Sequence, residues 1–128
     1  MKILAMLITL CMAADPGKVF FKNLKDGQTV KPQFTVEMGL TGKSLRPAGQ
    51  DQDDKKTGHH HLIINGGPIA EGSVIPSDDT HLHFGKAQES TAVDLKKPGT
   101  YKLTLQLADG QHRSYGEAHS STITVHVK

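Results

Sequence analysis

A strict alternation of apolar and polar residues constrains the fold of this chain more than any other feature. Every second residue from Tyr101 to Leu107 is apolar, and the residues between them are Lys102, Thr104 and Gln106. A side-chain period of two is the signature of a β-strand, whose successive side chains point to opposite faces. One apolar and one polar face are typical of a strand in an antiparallel sheet that is solvated on one side.

The rest of the chain extends this pattern into an all-β prediction. Turn residues such as Asp26-Gly27 and Pro98-Gly99 separate short segments of strand composition. These further segments are Lys18–Phe21, Gln33–Met38, His59–Asn65, His81–Phe84, Thr91–Leu95 and Thr122–Val127. About seven short strands without an amphipathic helix predict a single immunoglobulin-like antiparallel β-sandwich.

Two smaller signals refine this prediction. Tyr101 follows Pro98 and Gly99 at the start of an alternating strand, which is typical of a tyrosine corner. The segment from Thr41 to Gly58 has few apolar residues and several charged ones. We predict a long solvated loop there, and loops of such length in a compact domain are often functional.

The N-terminus has the pattern of a secretory signal peptide. Lys2 supplies a positive charge, Ile3–Met12 is an apolar run, and Ala13-Ala14 offers small residues for cleavage. The run is shorter than the ~20 residues that a membrane-spanning helix needs. We therefore predict a signal peptide at residues 1–14 and one β-sandwich domain at residues 15–128, in a periplasmic or secreted protein.

Alternatives for the first residues remain open: a helix packed on the domain, an uncleaved anchor, or lipidation at Cys11. Cys11 is the only cysteine, so a processed chain has neither disulfides nor thiolate ligands. Loss of Lys2 would leave 14 basic and 13 acidic residues. This balance, without a basic cluster, argues against nucleic acid as a partner and against substantial membrane binding once the signal is cleaved.

The eight histidines are unevenly distributed, with five in two short runs, His59–His61 and His81–His83. The strand period places His59 and His61 on one face, and likewise His81 and His83 on one face. If the two strands are neighbours, their imidazoles converge, and neutral imidazole is the commonest protein ligand for zinc and copper.

The other histidines differ in their expected roles. His60 should point to the core side, where its ring must either be hydrogen-bonded or incur a desolvation cost. His112 follows the Asp109-Gly110 turn and joins the cluster if that loop reaches the same end of the sandwich. His119 is an expected loop residue, and His126 should lie on a solvated strand face.

Four segments together resemble one bacterial exported family, called domain of unknown function 4399. They are Val19–Gly27, Thr57–Ile64, Asp78–Gln88 and Leu105–His112. The family pattern includes His59 to His61, His81, His83 and His112. The resemblance implies a small exported domain, and it implies no particular chemistry.

The leading hypothesis is a periplasmic metal-binding protein for Cu(II) or Zn(II), used in buffering, storage or delivery. Its ligands would be His59, His61, His81 and His83, with His60 and His112 as supports or alternates. Only Met38 among the methionines survives signal removal, and it is expected in the core, so thioether ligation is disfavoured. The partners of such a metal-binding protein would be the metal ion and a periplasmic protein.

Two other classes remain open. The domain could instead be an interaction module whose histidines form a hydrogen-bond network and whose Thr41–Gly58 loop is the contact surface. A copper enzyme is suggested only by analogy, because His-x-His motifs occur on β-sandwiches of that kind. Hydrolase, phosphate-loop and zinc-protease motifs are missing from the sequence, which favours a binding protein over an enzyme.

Overall fold

The computed structural model describes residues 17–50 and 54–128, so the predicted signal peptide at residues 1–14 lies outside the described residues. Within this part there are nine strands and a short 3-10 helix, Glu117–His119. The strands are β1 Lys18–Phe21, β2 Gln28–Val30, β3 Gln33–Thr41, β4 Ser44–Leu45, β5 Thr57–Ile64, β6 His81–His83, β7 Ser90–Asp94, β8 Gly99–Ala108 and β9 Ser120–Val127. None of the helices in this part is long and apolar enough to cross a membrane.

The strands form two sheets. One has three strands in the order β1-β3-β7, and the other has six, with β2-β9-β8-β5-β4 in a row and β6 also paired with β5. Apolar residues of both sheets meet in one core, which includes Val36 and Met38 from β3 and Leu103 and Leu105 from β8. The all-β prediction is confirmed, and the arrangement is consistent with a β-sandwich.

Two details of the predicted sheet are corrected. The described part has nine strands instead of about seven, because β2 and β4 were not predicted. Both of these short strands pair in parallel, β2 with β9 and β4 with β5, so the sheets are not purely antiparallel. Each parallel pairing spans only two or three residues at a sheet edge, which is too short to leave an alternation pattern in the sequence.

The predicted solvated loop from Thr41 to Gly58 is also partly wrong. Ser44 and Leu45 form β4 and pair with Thr57 and Gly58 at the start of β5. Leu45 packs against the core, and Thr57 and Gly58 are buried. Leu45, an apolar residue in a charged segment, was the sequence feature that could have indicated this strand. Its burial against the core favours pairing of β4 with β5.

The outer face of the six-stranded sheet is covered where the sequence predicted a solvated face. Thr104 and Gln106 have no exposed surface. The Gln106 side chain accepts a hydrogen bond from the backbone N–H of Ile69 (3.0 Å) and donates one to the carbonyl of Gly116 (2.9 Å). The segments before β6 and after β8 therefore lie over this face, and buried polar side chains are tolerated because they are hydrogen-bonded.

Tyr101 contacts the backbone of the turn that precedes its strand. Its hydroxyl donates a hydrogen bond of 2.6 Å to the carbonyl oxygen of Lys97. This bond closes the turn that leads into β8 and so helps to place the strand that pairs with β5.

Candidate metal centre

The interior strand β5 positions the two most buried members of the site. His59 lies opposite Ala108 and His61 opposite Gln106 of β8, so both imidazoles belong to the covered outer face of the six-stranded sheet. Their exposed fractions are 0% and 1%, and their ring centroids are 4.7 Å apart. The sequence prediction that these two rings share a face is confirmed.

The edge strand β6 adds a third imidazole. His83 lies directly opposite His61 in the antiparallel β5–β6 pair. Its ring centroid is 5.1 Å from that of His61 and 5.0 Å from that of His59. A Cβ atom at Gly85 would come within 2.3 Å of the His83 ring, so glycine at this position leaves the ring its space.

The turn after β8 adds the fourth imidazole and is organised by Asp109. This carboxylate is buried, and Oδ1 accepts hydrogen bonds of 2.9 Å from the backbone N–H groups of Gln111 and Arg113. The Arg113 side chain donates a 2.8 Å bond from Nε to Oδ2. The turn holds His112 in a left-handed conformation, φ 62°, and brings its ring centroid to 4.6 Å from that of His83.

Asp109 is the functional residue that sequence reasoning missed, since Asp109-Gly110 was interpreted only as a turn signal. An aspartate that is followed at two and four residues by available backbone N–H groups is typical of an Asx-type turn. That pattern could have identified the carboxylate as the residue that shapes the loop and places His112.

The four histidines form one compact group. One nitrogen from each of His59, His61, His83 and His112 lies within 4.8 Å of the others. The Nε2 atom of His59 is 2.9 Å from Nε2 of His61 and 3.2 Å from Nδ1 of His112. A tetrahedral ion with bonds of about 2.0–2.1 Å requires nitrogen separations of roughly 3.3–3.4 Å. The two observed separations of 2.9 and 3.2 Å are slightly shorter than this value, so small outward movements of the rings can accommodate an ion.

Burial favours the neutral, metal-binding form of three of these histidines. Burial first, and then the charges that His112 and His83 would carry, lower the pKa of His59 to about 4. Burial, followed by the neighbouring imidazoles, lowers the pKa of His61 to about 2. The pKa of His83 is also lowered, again first by burial and then by His112. Several cationic imidazoles cannot share so small a volume without a large electrostatic cost.

The Nδ1 atoms of His59 and His61 lack the hydrogen bond that the second ring nitrogen of a metal-binding histidine usually makes. Nδ1 of His59 and Nδ1 of His61 are buried and find no hydrogen-bond partner in the described part of the chain. A ring that binds an ion through Nε2 carries its proton on Nδ1. Strand pairing and close packing, instead of a carboxylate acceptor, therefore orient these two rings.

Two of the six sequence candidates lie outside the group. His60 faces the core, is fully buried, and neither of its ring nitrogens makes a hydrogen bond within residues 17–50 and 54–128. Burial, with a smaller effect from Lys22, lowers its pKa to about 4. His81 lies opposite Ile63, two residues along β5 from His61, and its Nδ1 is 2.7 Å from Oδ1 of Asp78.

The remaining histidines are also separate from the site. His126 is exposed on β9, as the alternation predicted, and its Nδ1 is 3.0 Å from the Thr100 hydroxyl. His119 ends the 3-10 helix, and its ring centroid is 5.5 Å from that of Tyr115.

The fold and this site define a small all-β protein with a four-histidine group suited to a transition-metal ion. A family model, domain of unknown function (DUF4399), matches residues 36–128. The chain belongs to this family, as the histidine segments indicated, although the matched range begins after the Val19–Gly27 segment. Neither a curated protein nor a solved structure matches the chain.

Proposed function

We propose that this protein binds one divalent transition-metal ion through His59, His61, His83 and His112. The observation that carries the proposal is the convergence of four ligand nitrogens within 4.8 Å, on two strands and a turn that are distant in sequence. Each of these elements has its own structural support, namely the β5–β8 and β5–β6 pairings and the Asp109 turn.

Ligand chemistry favours Cu(II) or Zn(II). All four donors are neutral imidazoles, which suit both ions, and the Irving–Williams order favours copper at equal concentration. Met38 is buried in the core with 1% exposure, so no thioether from the described residues supplements the site. A set of nitrogen donors without sulfur disfavours Cu(I).

The cellular role that we propose is buffering, storage or delivery of the ion in the periplasm or outside the cell. The signal-like N-terminus supports export, and a group of four protein ligands is consistent with storage of the ion. A protein that receives or supplies the ion is the partner that this role requires. We also propose an immunoglobulin-like arrangement of the sheets, which the Tyr101 to Lys97 contact supports.

Calorimetric titration of the metal-free protein with Cu²⁺ and Zn²⁺ tests the proposal. We expect one ion per chain with a Kd below ~1 µM, a binding free energy beyond about −8 kcal/mol. His59→Ala should weaken binding by more than about 100-fold, because it removes Nε2 of His59, the ligand nitrogen that lies close to both His61 and His112. His81→Ala is the matched control and should bind like the wild type. Absence of stoichiometric binding would contradict the proposal.

A second candidate function is an interaction module with a histidine hydrogen-bond network. The observation in its favour is that His59 Nε2 lies within hydrogen-bond distance of both His61 and His112. Under this alternative the wild type binds no ion, and His59→Ala lowers the free energy of unfolding without changing any metal response. The same titration, combined with urea unfolding of both proteins, separates the two candidates.

A further inference from the structure

Two of the four proposed ligands are buried, and the other two are accessible at the surface. His59 and His61 are buried on the interior strand β5, which is paired on both sides. His83 is exposed and lies on β6, a strand of three residues that pairs only with β5. Short edge segments of this kind open locally at lower free energy than interior strands.

A cavity gives access to the same side of the group. Its volume is about 220 Å³, and His61, His83 and His112 line it together with the segment Val74–Ser77. This is several times the ~30 Å³ that one water occupies, so a small donor group fits beside the ligands. The backbone N–H of Ile75 donates a 2.9 Å hydrogen bond to the carbonyl of His112, which ties the rim of the cavity to the fourth ligand.

We propose that the ion is exchanged through this cavity by substitution of His83. The inference rests on the proposed function and adds the route of transfer. A nitrogen or oxygen donor of the acceptor bonds to the ion from the cavity side, and the bond from the ion to His83 breaks. One coordinate bond replaces another, the ion keeps its oxidation state, and the released imidazole stays neutral. His59 and His61 hold the ion throughout, so it is not released as a free aquo ion.

Rescue by free imidazole tests this route, with Cu²⁺ as the probe ion. His83→Ala and His59→Ala each remove one imidazole, His83 from the lining of the cavity and His59 from a buried position that does not line it. We expect millimolar imidazole to restore at least tenfold of the lost Cu²⁺ affinity in His83→Ala and less than twofold in His59→Ala. Equal rescue in both variants, or rescue in neither, would overturn the inference while leaving metal binding by the wild type intact.

Removal of Cu²⁺ from the wild type by a chelator provides a second readout that does not depend on the folding of His59→Ala. Exchange through the cavity predicts a removal rate that rises in proportion to chelator concentration. Gly85→Ala, which crowds the His83 ring, should raise that rate at least threefold, and His81→Ala should leave it unchanged. A rate independent of chelator concentration overturns the route, whereas a wild type that binds no Cu²⁺ overturns the proposed function as well.

Discussion

His59 and His60 are neighbours on β5 and are both fully buried, yet their rings meet opposite environments. On the outer face the His59 ring lies among three other imidazoles, and its Nε2 is 2.9 Å from His61. On the inner face the His60 ring lies in the apolar core, and its nitrogens make no hydrogen bond in the described part of the chain. Burial of a histidine alone therefore does not create a site; convergence of its nitrogen with others does.

The two faces also differ in the free energy that the burial of their histidines costs. An unpartnered polar group in a core destabilises the fold by roughly 1–3 kcal/mol. On the outer face part of this cost is offset by hydrogen bonds among the imidazoles, and bound metal would offset more of it. The outer face thus has a chemical reason for its histidines, whereas the structure offers no comparable reason for a histidine at position 60.

The largest expected effect is a loss of stability of the metal-free protein between pH 6.5 and pH 4. The folded pKa values are about 4 for His59 and His60 and about 2 for His61, against 6.5 as the ordinary value. Below pH 6.5 the unfolded chain binds more protons than the folded one, so the free energy of unfolding falls as pH falls. Each histidine contributes up to about 1.4 kcal/mol per pH unit.

Urea unfolding at half-unit intervals from pH 7.5 to pH 4.5 measures this loss. A profile that is flat across that range would contradict the buried neutral histidines of both faces. His60→Leu separates the contributions of the two faces of β5. It removes the contribution of the inner-face histidine and should leave most of the dependence of the free energy of unfolding on pH. The carboxylates of Asp78 and Asp109, whose pKa values are lowered from 3.8, contribute only at more acidic pH.

Asp109→Ala should produce the next largest effect, and only on the outer face. It removes two backbone hydrogen bonds and the Arg113 contact from the turn that carries His112. We expect a loss of about 2–4 kcal/mol in the free energy of unfolding, because the lost bonds are buried and charged. Cu²⁺ affinity should fall about tenfold, in line with the loss of a residue that orients a ligand.

Calorimetry and urea unfolding of the same preparation check both numbers. Asp109→Asn is the conservative control, since its amide oxygen can still accept from the two backbone N–H groups. Wild-type Cu²⁺ affinity in Asp109→Ala would show that His112 reaches the group without this turn.

His60→Leu should have a smaller effect of opposite sign. Leucine has a similar volume and no polar atoms, so the substitution relieves the unpartnered imidazole without opening a cavity. We expect the free energy of unfolding at pH 7 to rise by about 1–2 kcal/mol, with Cu²⁺ binding unchanged. Thermal unfolding measures the gain, and a destabilised His60→Leu would reveal a role for this ring on the inner face.

His81→Ala should have the smallest effect. The contact between His81 and Asp78 is partly exposed, with 20% of the His81 side chain and 51% of the Asp78 side chain accessible. Even when both groups are charged, surface contacts of this kind contribute less than about 1 kcal/mol. We expect a Cu²⁺ affinity within twofold of the wild type by calorimetry. A loss of tenfold or more would place His81 among the ligands together with His83.

Much of the fold was predictable from local pattern. The alternation from Tyr101 to Leu107 predicted β8, and the strand period alone predicted that His59 and His61 share a face opposite to His60. The short strands β2 and β4 were not predicted, since two or three residues carry no period. The burial of Thr104 and Gln106 was not predicted either, because the segments that cover them are irregular and carry no periodic signal.

The strand character of β5 and the sidedness of its three histidines follow from local sequence, because backbone geometry sets side-chain direction one residue at a time. The pairing of His83 with His61 and of His81 with Ile63 is a property of the folded chain. Strand register depends on pairing between segments distant in the chain, and a shift of two residues keeps every side chain on its face. The Asp109 turn can be recognised from a local pattern, but the distance of 3.2 Å between His112 Nδ1 and His59 Nε2 depends on how that turn packs against β5.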